Sequence, residues 1–347
     1  MIATRTLRRS RVLIVGCGDV GMRCVEQLRA RARPPRILAL TSQPARRPEL
    51  AAAGAVPLIG DLDRRATLAR LGGIAHRVLH LAPPRASGDD DARTRALIAA
   101  LGMRHGVRRG PARPAATVAA GRLRALARAA GRPFQAARIV PEGLRRAPAL
   151  VYASTSGVYG DCGGARVDET RPVRPANARA VRRVSAERQL RQATARGALG
   201  ARLVRIPGIY AANRLPIARL ERGTPALVDA DDVYTNHIHA DDLARILLAA
   251  AVRGLPARVV HASDDTEMKM GAYFERVAQA SGRASPPRIT RAEAETRLEP
   301  VQLSFMRESR RLANRRLKRE LRVALRYPTV DDFLATISPD SELGSLR

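Results

Sequence analysis

The stretch Arg11-Val12-Leu13-Ile14-Val15-Gly16-Cys17-Gly18-Asp19-Val20-Gly21 constrains this chain more than any other. A short apolar run leads into G-x-G-x-x-G, and Val20, Cys24, Val25 and Leu28 then recur at helical spacing. Strand, glycine turn and helix in that order make an anion cradle. Gly16 permits the tight turn, Gly18 lets the backbone approach a pyrophosphate, and Gly21 lets the helix pack on the strand. The free N–H groups and the positive end of the helix dipole then face the anion. A glycine turn without a ligand is the alternative, and the flanking strand and helix argue against it.

Strand and helix signals alternate through the first hundred residues, which predicts an α/β fold with a doubly wound parallel sheet. Strands are expected at Val12–Val15, Ile37–Leu40, Val56–Ile59, Val78–Leu81, Ala149–Ala153 and Ala201–Ile206. Helices are expected at Val20–Arg31, Pro48–Ala53, Ala66–Leu71, Ala92–Met103 and Ala178–Ala195. Between Arg104 and Ala147 stand 11 arginines and one acid, Glu142, far more chain than a crossover needs. This segment is expected to be an insertion with a short helix at Thr117–Ala130, either a tolerated surface loop or a basic arm. Residues 11–206 are expected to form the dinucleotide-binding domain. Residues 207–338 are expected to form a smaller, irregular substrate-covering region interleaved with the sheet, with helices at Asp241–Val252, Met270–Ser281, Arg291–Leu298 and Asn314–Arg322 and a strand at Arg258–His261.

Lys+Arg total 62 and Asp+Glu 32, a formal charge of +30. Charge alone suggests a nucleic-acid partner. Yet only Lys269 and Lys318 are lysines, so the excess is arginine, as GC-rich coding produces. Aromatics are 3% with no tryptophan, which leaves no platform for stacking bases, so no specific nucleic acid is expected. No run of about 18 apolar residues exists, so no membrane span is expected. The basic N-terminus lacks an apolar core, so no secretory signal is expected. Cys17, Cys24 and Cys162 show no metal spacing or disulfide pattern, and a cytoplasmic location follows as an expectation.

The end of the second strand selects the cofactor. An NAD-preferring fold usually places an acid about 20 residues past the glycines to grip the ribose diol. Here the chain reads Leu40-Thr41-Ser42-Gln43-Pro44-Ala45-Arg46-Arg47, with no acid before Glu49. Thr41, Ser42 and Arg46 suit a 2′-phosphate, so NADP is expected, with NAD as the other form. Asp61, followed by Leu62, stands where it can accept from an adenine amino group or cap the next helix. Asp19 is expected to cap the first helix.

Five segments, in order, resemble the extended short-chain dehydrogenase/reductases, the NAD-dependent epimerase/dehydratase family. They are His80-Leu81-Ala82-Pro83, Val151 to Gly160, Arg205 to Tyr210, Asn236 to Leu243, and Asn314 through Tyr327-Pro328. The resemblance implies a Rossmann-type fold and cofactor contacts at Leu81, Ala82, Pro83, Ser154 and Pro207, beside those of the glycine loop (Gly16, Gly18, Asp19, Val20, Gly21). It implies that Thr155 is the catalytic hydroxyl. A Y-x-x-x-K pair should follow, the tyrosine as acid/base and the lysine holding the ribose. Alignment on Ala186-Glu187 instead places Arg179 and Arg183 there, and no tyrosine lies between Tyr159 and Tyr210.

Arginine stays protonated, so Arg179 cannot shuttle a proton, although Arg183 can bond a ribose. The pair can also grip an anion, or be part of a plain basic helix face with Arg182, Arg188 and Arg191. Thr155, Tyr159, His237 and His239 are the other proton-donor candidates; Asp241 is expected to cap a helix. A metal reading of His237, His239 and Asp241 lacks a third clear ligand and is set aside. The chain is therefore expected to be an NAD(P)-dependent oxidoreductase or epimerase/dehydratase-like enzyme. Its substrate would be a small polar or anionic carbonyl or sugar-type compound, and a homodimer is open to it. The alternative is a non-catalytic NADP-binding sensor or scaffold.

Overall fold

The computed structural model describes residues 10–102 and 147–337. The Arg-rich segment 104–146 and the helix expected at 117–130 lie outside them.

Seven strands form one parallel sheet: β1 (Arg11–Val15), β2 (Arg36–Thr41), β3 (Val56–Ile59), β4 (Arg77–His80), β5 (Ala149–Thr155), β6 (Gly200–Ile206) and β7 (Val259–His261). Their spatial order is β7-β6-β5-β4-β1-β2-β3, so the chain reverses direction between β1 and β4. Ligands of such sheets sit at the carboxyl ends of the strands, where the order reverses.

Strand periodicity explains both faces. Val12 and Ile14 point to one side, where they pack with α1 (Asp19–Arg29) and a helix we call α5 (Ala240–Arg253) through Cys24, Val25, Leu28, Leu243 and Leu247. Leu13 and Val15 point to the other, against α3 (Ala92–Gly102) and α4 (Ala178–Ala195) through Leu97, Leu101, Ala186 and Leu190. Between them lies α2 (Arg47–Ala52), whose Leu50 is fully buried. Residues after 207 return to this body: α5 covers one face and β7 extends the edge beside β6. A third core, around Tyr210, Phe274 of α6 (Met270–Ala280) and Phe333, lies in the later region.

Several local expectations change. The helix expected at Ala66–Leu71 is a 3-10 helix, Arg65–Leu71, and Asp61 does not cap it: its Oδ1 accepts from the Asp63 N–H at 2.9 Å. Gly18, not Asp19, is the N-cap of α1, and Asp19 in the first turn pairs with Arg23 and Arg214 at 3.2 Å each. That neutralises a carboxylate beside an anion cradle. His239, not Asp241, caps α5, its Nδ1 accepting from the Asp241 N–H at 3.2 Å. The helix expected over Asn314–Arg322 is shorter, Arg315–Arg319. Short helices at Ile217–Glu221, Pro300–Phe305 and Val330–Leu334 were not legible, because five or six residues carry too little periodicity.

Candidate active site

The glycine loop has the shape its sequence demands. Gly16 has φ +85°, and a Cβ there would lie 2.5 Å from the Ala82 nitrogen. The N–H groups of Leu81 and Ala82 donate to the Val15 carbonyl at 2.8 and 3.0 Å, which pins the end of β4 against the loop. A Cβ on Gly18 would meet nothing within 4 Å, so open space stands in front of the amino end of α1. A Cβ on Gly21 would lie 3.2 Å from the Cys17 Sγ, close enough that a side chain would press on the loop. These features fit a bound pyrophosphate: a tight turn, an open cradle and a helix N-terminus behind it. Val20 packs on the sheet beneath.

At the end of β2, Thr41 Oγ1 accepts from the Gln43 N–H at 3.1 Å, and Ser42 is exposed. Arg46 Nη1 donates to the Cys17 carbonyl at 2.7 Å, so this guanidinium is tied to the glycine loop itself. Its Nε and Nη2 grip Glu49 at 2.8 and 2.6 Å. The acid missing from the strand end thus arrives from α2 and engages the arginine. Leu62 is buried under the loop after β3.

A cavity of about 590 Å³ opens at the carboxyl ends of β4, β5 and β6. It brings together four of the residues singled out from sequence: Pro83, Thr155, Arg179 and Arg183, with Pro207 a fifth. Thr155 ends β5, and its Oγ1 accepts from the Gly157 N–H at 3.3 Å. Arg183 Nη1 donates to the Ala153 carbonyl at 2.6 Å and the Tyr152 hydroxyl at 3.2 Å. Arg179 lies over the Phe305 ring, 4.8 Å from its centroid. The glycine loop is not in the cavity wall, but Ala82, which it touches, precedes Pro83, which is.

Other expectations fall away from the cavity. Ser154 is buried, and its Oγ donates to Glu187 at 2.7 Å, so it braces the fold behind the site. Tyr159 is buried too, and that burial pushes its hydroxyl up to about 12. His237 stacks on Tyr273 at 4.2 Å, with burial pushing its pKa down to about 3, and His239 is held by its capping bond and by Tyr327. None of these four lines the cavity.

The far wall is built from the later region: Asn236, which opens one of the family-like segments but was given no role, and Tyr234, Glu308 and Arg310, which the sequence did not single out. Asn177, the N-cap of α4, accepts from the Ala180 N–H at 3.0 Å and donates to Glu308 Oε1 at 3.2 Å. Arg310 Nη1 holds Oε2 at 2.8 Å. A point beside Gly157, where a Cβ would sit, is 3.6 Å from Thr155 Oγ1 and 3.9 Å from Glu308 Oε2. The hydroxyl and the carboxylate therefore share one corner. An Asn before a helix start was a readable cap signal; nothing at the level of spacing could place Glu308 opposite Thr155.

Fold and glycine loop together define a Rossmann-type dinucleotide-binding protein, with a cavity at the carboxyl ends of β4, β5 and β6, beside the switch of strand order. More narrowly, the chain belongs to the NAD dependent epimerase/dehydratase family, whose model matches residues 12–261. A functionally unknown conserved protein from Silicibacter pomeroyi is similar in structure, with 25% identity and a TM-score of 0.68 over 96% of this chain and 99% of that one. MoeE5, solved with UDP-glucose and NAD, has 20% identity and a TM-score of 0.63 (94% and 97% covered). UDP-glucose 4-epimerase from Thermotoga maritima has 14% identity and 0.66 (94% and 97% covered). At such identities these last two speak for the fold alone. Among curated proteins there is no match. No described helix is long and apolar enough to cross a membrane.

Proposed function

We propose that this chain is an NAD(P)-dependent enzyme that acts on a carbon bearing oxygen in a small polar or sugar-type substrate. The reading is carried by one observation: Thr155, at the end of β5, faces a cavity that begins where the fourth-strand end touches the glycine loop. The family relationship gives it a general epimerase/dehydratase-like frame.

When bound, the nicotinamide supplies hydride transfer. The protein's part is binding, orientation and proton handling. The main chain at Gly16–Gly18 and the amino end of α1 would hold the pyrophosphate. Thr155 Oγ would donate to the substrate oxygen. Arg183, already anchored to the Ala153 carbonyl, would present its remaining N–H groups to a ribose and add positive charge near a developing oxyanion. Arg179 has no proton to give. Glu308, aligned by Asn177 and Arg310 and sharing a corner with Thr155, is the cavity's carboxylate and the group suited to accept the proton. For the coenzyme form, the absence of an acid on β2 and the Arg46 guanidinium at the glycine loop support NADP as the finer proposal.

The test combines binding with turnover. Titration with NADH and NADPH, followed by coenzyme fluorescence, should give saturable binding. A screen of carbonyl compounds and nucleotide sugars should then find a substrate whose conversion is abolished by Thr155→Ala with coenzyme affinity unchanged. Folded protein that binds neither coenzyme would sink the reading. Arg179 at the tyrosine position favours a second reading, a dinucleotide sensor without turnover; saturable binding with no conversion across the screen would support it.

A further inference from the structure

The cavity wall carries more positive charge than the protein neutralises. Among the described residues it is lined by Arg85, Arg179, Arg182, Arg183 and Arg310, but by one carboxylate, Glu308. Arg85 pairs with Asp63 at 2.6 Å and Arg310 with Glu308 at 2.8 Å. The other three have no carboxylate partner among the described residues. Arg183 is held by a carbonyl and a phenol, and Arg179 by a ring face.

Arg182 is the most telling. It is 5% exposed, its Nη1 donates to the Gly88 carbonyl at 2.8 Å, and its Nε has no partner among the described residues. A guanidinium cannot escape by losing its proton, and burying it without a counter-charge is unfavourable. In the loop that Arg182 touches, Asp90 is engaged with Arg95, Ser185 and Gln189 and Asp91 with Thr94, and Asp89 makes no ion pair with Arg182 among the described residues. Arg179 and Arg182 stand three apart on α4, so their side chains share a helix face, and both reach the cavity that holds Thr155.

We propose that the molecule bound in this cavity carries an oxyanion, a carboxylate or a phosphate, at the end beside Thr155, and that Arg182 and Arg179 together hold it. Two forked donor groups suit either anion. This rests on the cavity being the substrate site, and it concerns the reacting end of the substrate, whatever charge its remote end carries.

Protein saturated with NADH, so that the glycine loop is filled, is titrated with inorganic phosphate, sodium D-glucuronate and D-glucose at constant ionic strength and low chloride. Calorimetry and the unfolding midpoint are read. Phosphate or glucuronate should bind and raise the midpoint, and glucose should not. Response to phosphate alone assigns a phosphorylated end; response to glucuronate alone assigns a carboxylate. Arg182→Met should raise the midpoint of anion-free protein and weaken anion binding about tenfold or more, because the buried charge is gone. Arg179→Gln, closer to the cavity mouth, should weaken binding similarly with the anion-free midpoint unchanged, and it serves if Arg182→Met does not fold. An equal response to glucose, or anion binding indifferent to both substitutions, overturns the proposal. NADH binding is measured first and the anion titrations are repeated without it; absence of NADH binding would sink the coenzyme reading, while the response of the coenzyme-free protein and its Arg182 and Arg179 variants would still decide this one.

Discussion

Arg205 and Glu187 form a two-pronged ion pair behind the cavity, Nε to Oε1 at 3.0 Å and Nη2 to Oε2 at 2.7 Å, with both side chains only 3–4% exposed. The pair is wired on both sides. Ser154 donates to Glu187, and Arg205 Nη1 donates to the Tyr159 hydroxyl at 2.7 Å, which meets His261 Nε2 at 2.5 Å. One polar chain therefore ties α4 to β5, β6 and β7 directly behind Thr155. The helix that carries Arg179, Arg182 and Arg183 takes its position from it.

Breaking one partner leaves the other charge buried alone. Glu187→Gln is expected to cost about 3–5 kcal/mol. The double variant Glu187→Gln, Arg205→Met should cost less than either Glu187→Gln or Arg205→Met alone, because no charge is then stranded. Urea unfolding of the four proteins measures this. A loss below about 1 kcal/mol in Glu187→Gln would show that the buried pair is not what fixes α4.

The contact between Arg46 and the Cys17 carbonyl bears on coenzyme choice. Glu49 occupies the same guanidinium through Nε and Nη2, so it would compete with any phosphate that Arg46 were to bind. Glu49→Gln should therefore raise affinity for NADPH, about tenfold, with little change for NADH. Arg46→Ala should do the reverse. Fluorescence titration of both coenzymes decides it, and equal shifts for the two forms would remove Arg46 from coenzyme selection.

The sheet was largely legible from sequence, and the far wall of the cavity was not. Runs such as Val12–Val15 and Leu150–Tyr152 are buried on both faces and announce themselves by composition alone. The glycine loop was legible because Gly16 has a positive φ and Gly21 packs closely, positions that admit few residue types, in front of a helix start. Arg182 shows the limit. In sequence it is one arginine among several on a basic helix; in the fold it is 5% exposed and turned to the cavity. Helical period could place it on a face, but not say that the loop at Gly88 would cover that face. Glu308 and Arg310 come from a region with short, irregular elements, so their meeting with Thr155 depends on tertiary packing. Asp19 and Asp241 were misread as caps for a different reason: Gly18 and His239 take those positions, and both aspartates sit in the first turn, where the helix dipole favours them equally.

Stability should depend on pH in a defined direction. Burial pushes His80 and His237 down to about 3 and His261 to about 4. An unfolded histidine titrates near 6.5, so below that pH the unfolded chain binds protons that the folded one refuses. The stability is complete above pH ~6.5 and is lost towards pH 4, at about 1.4 kcal/mol per pH unit for each histidine. Asp264 opposes this. Its burial raises the carboxyl to about 7, so the folded state keeps a proton that the unfolded state releases above pH ~4, and its contribution fades as pH rises to 7. His239, also lowered by burial, adds to the histidines, and Glu169, also raised by burial, adds to Asp264, so the buried groups that lose stability on acidification still outnumber those that gain it. Asp264→Asn should steepen the loss between pH 6.5 and 4.5, and His261→Gln should flatten it. Urea unfolding across that range reads both slopes; an unaltered slope in Asp264→Asn would mean that this carboxyl is ionised in the fold.

Gly18 offers the cleanest separation of fold from ligand. Its φ is −79°, which any residue adopts, and a Cβ there meets no protein atom within 4 Å. Gly16 differs on both counts, with φ +85° and a 2.5 Å approach to Ala82. Gly16→Ala should therefore damage the loop itself and lower the unfolding midpoint. Gly18→Ala should leave the midpoint where it is, since nothing in the protein is displaced. The added methyl group would instead stand in the space through which a pyrophosphate reaches the main-chain N–H groups. Dinucleotide affinity should fall by about tenfold or more in a protein that is otherwise unchanged, because a lost phosphate contact has no substitute in that space. Calorimetry with NADH beside a thermal melt makes the comparison. Full affinity in Gly18→Ala would mean that the cradle in front of α1 does not receive the phosphates, and the coenzyme would have to be sought elsewhere on the molecule.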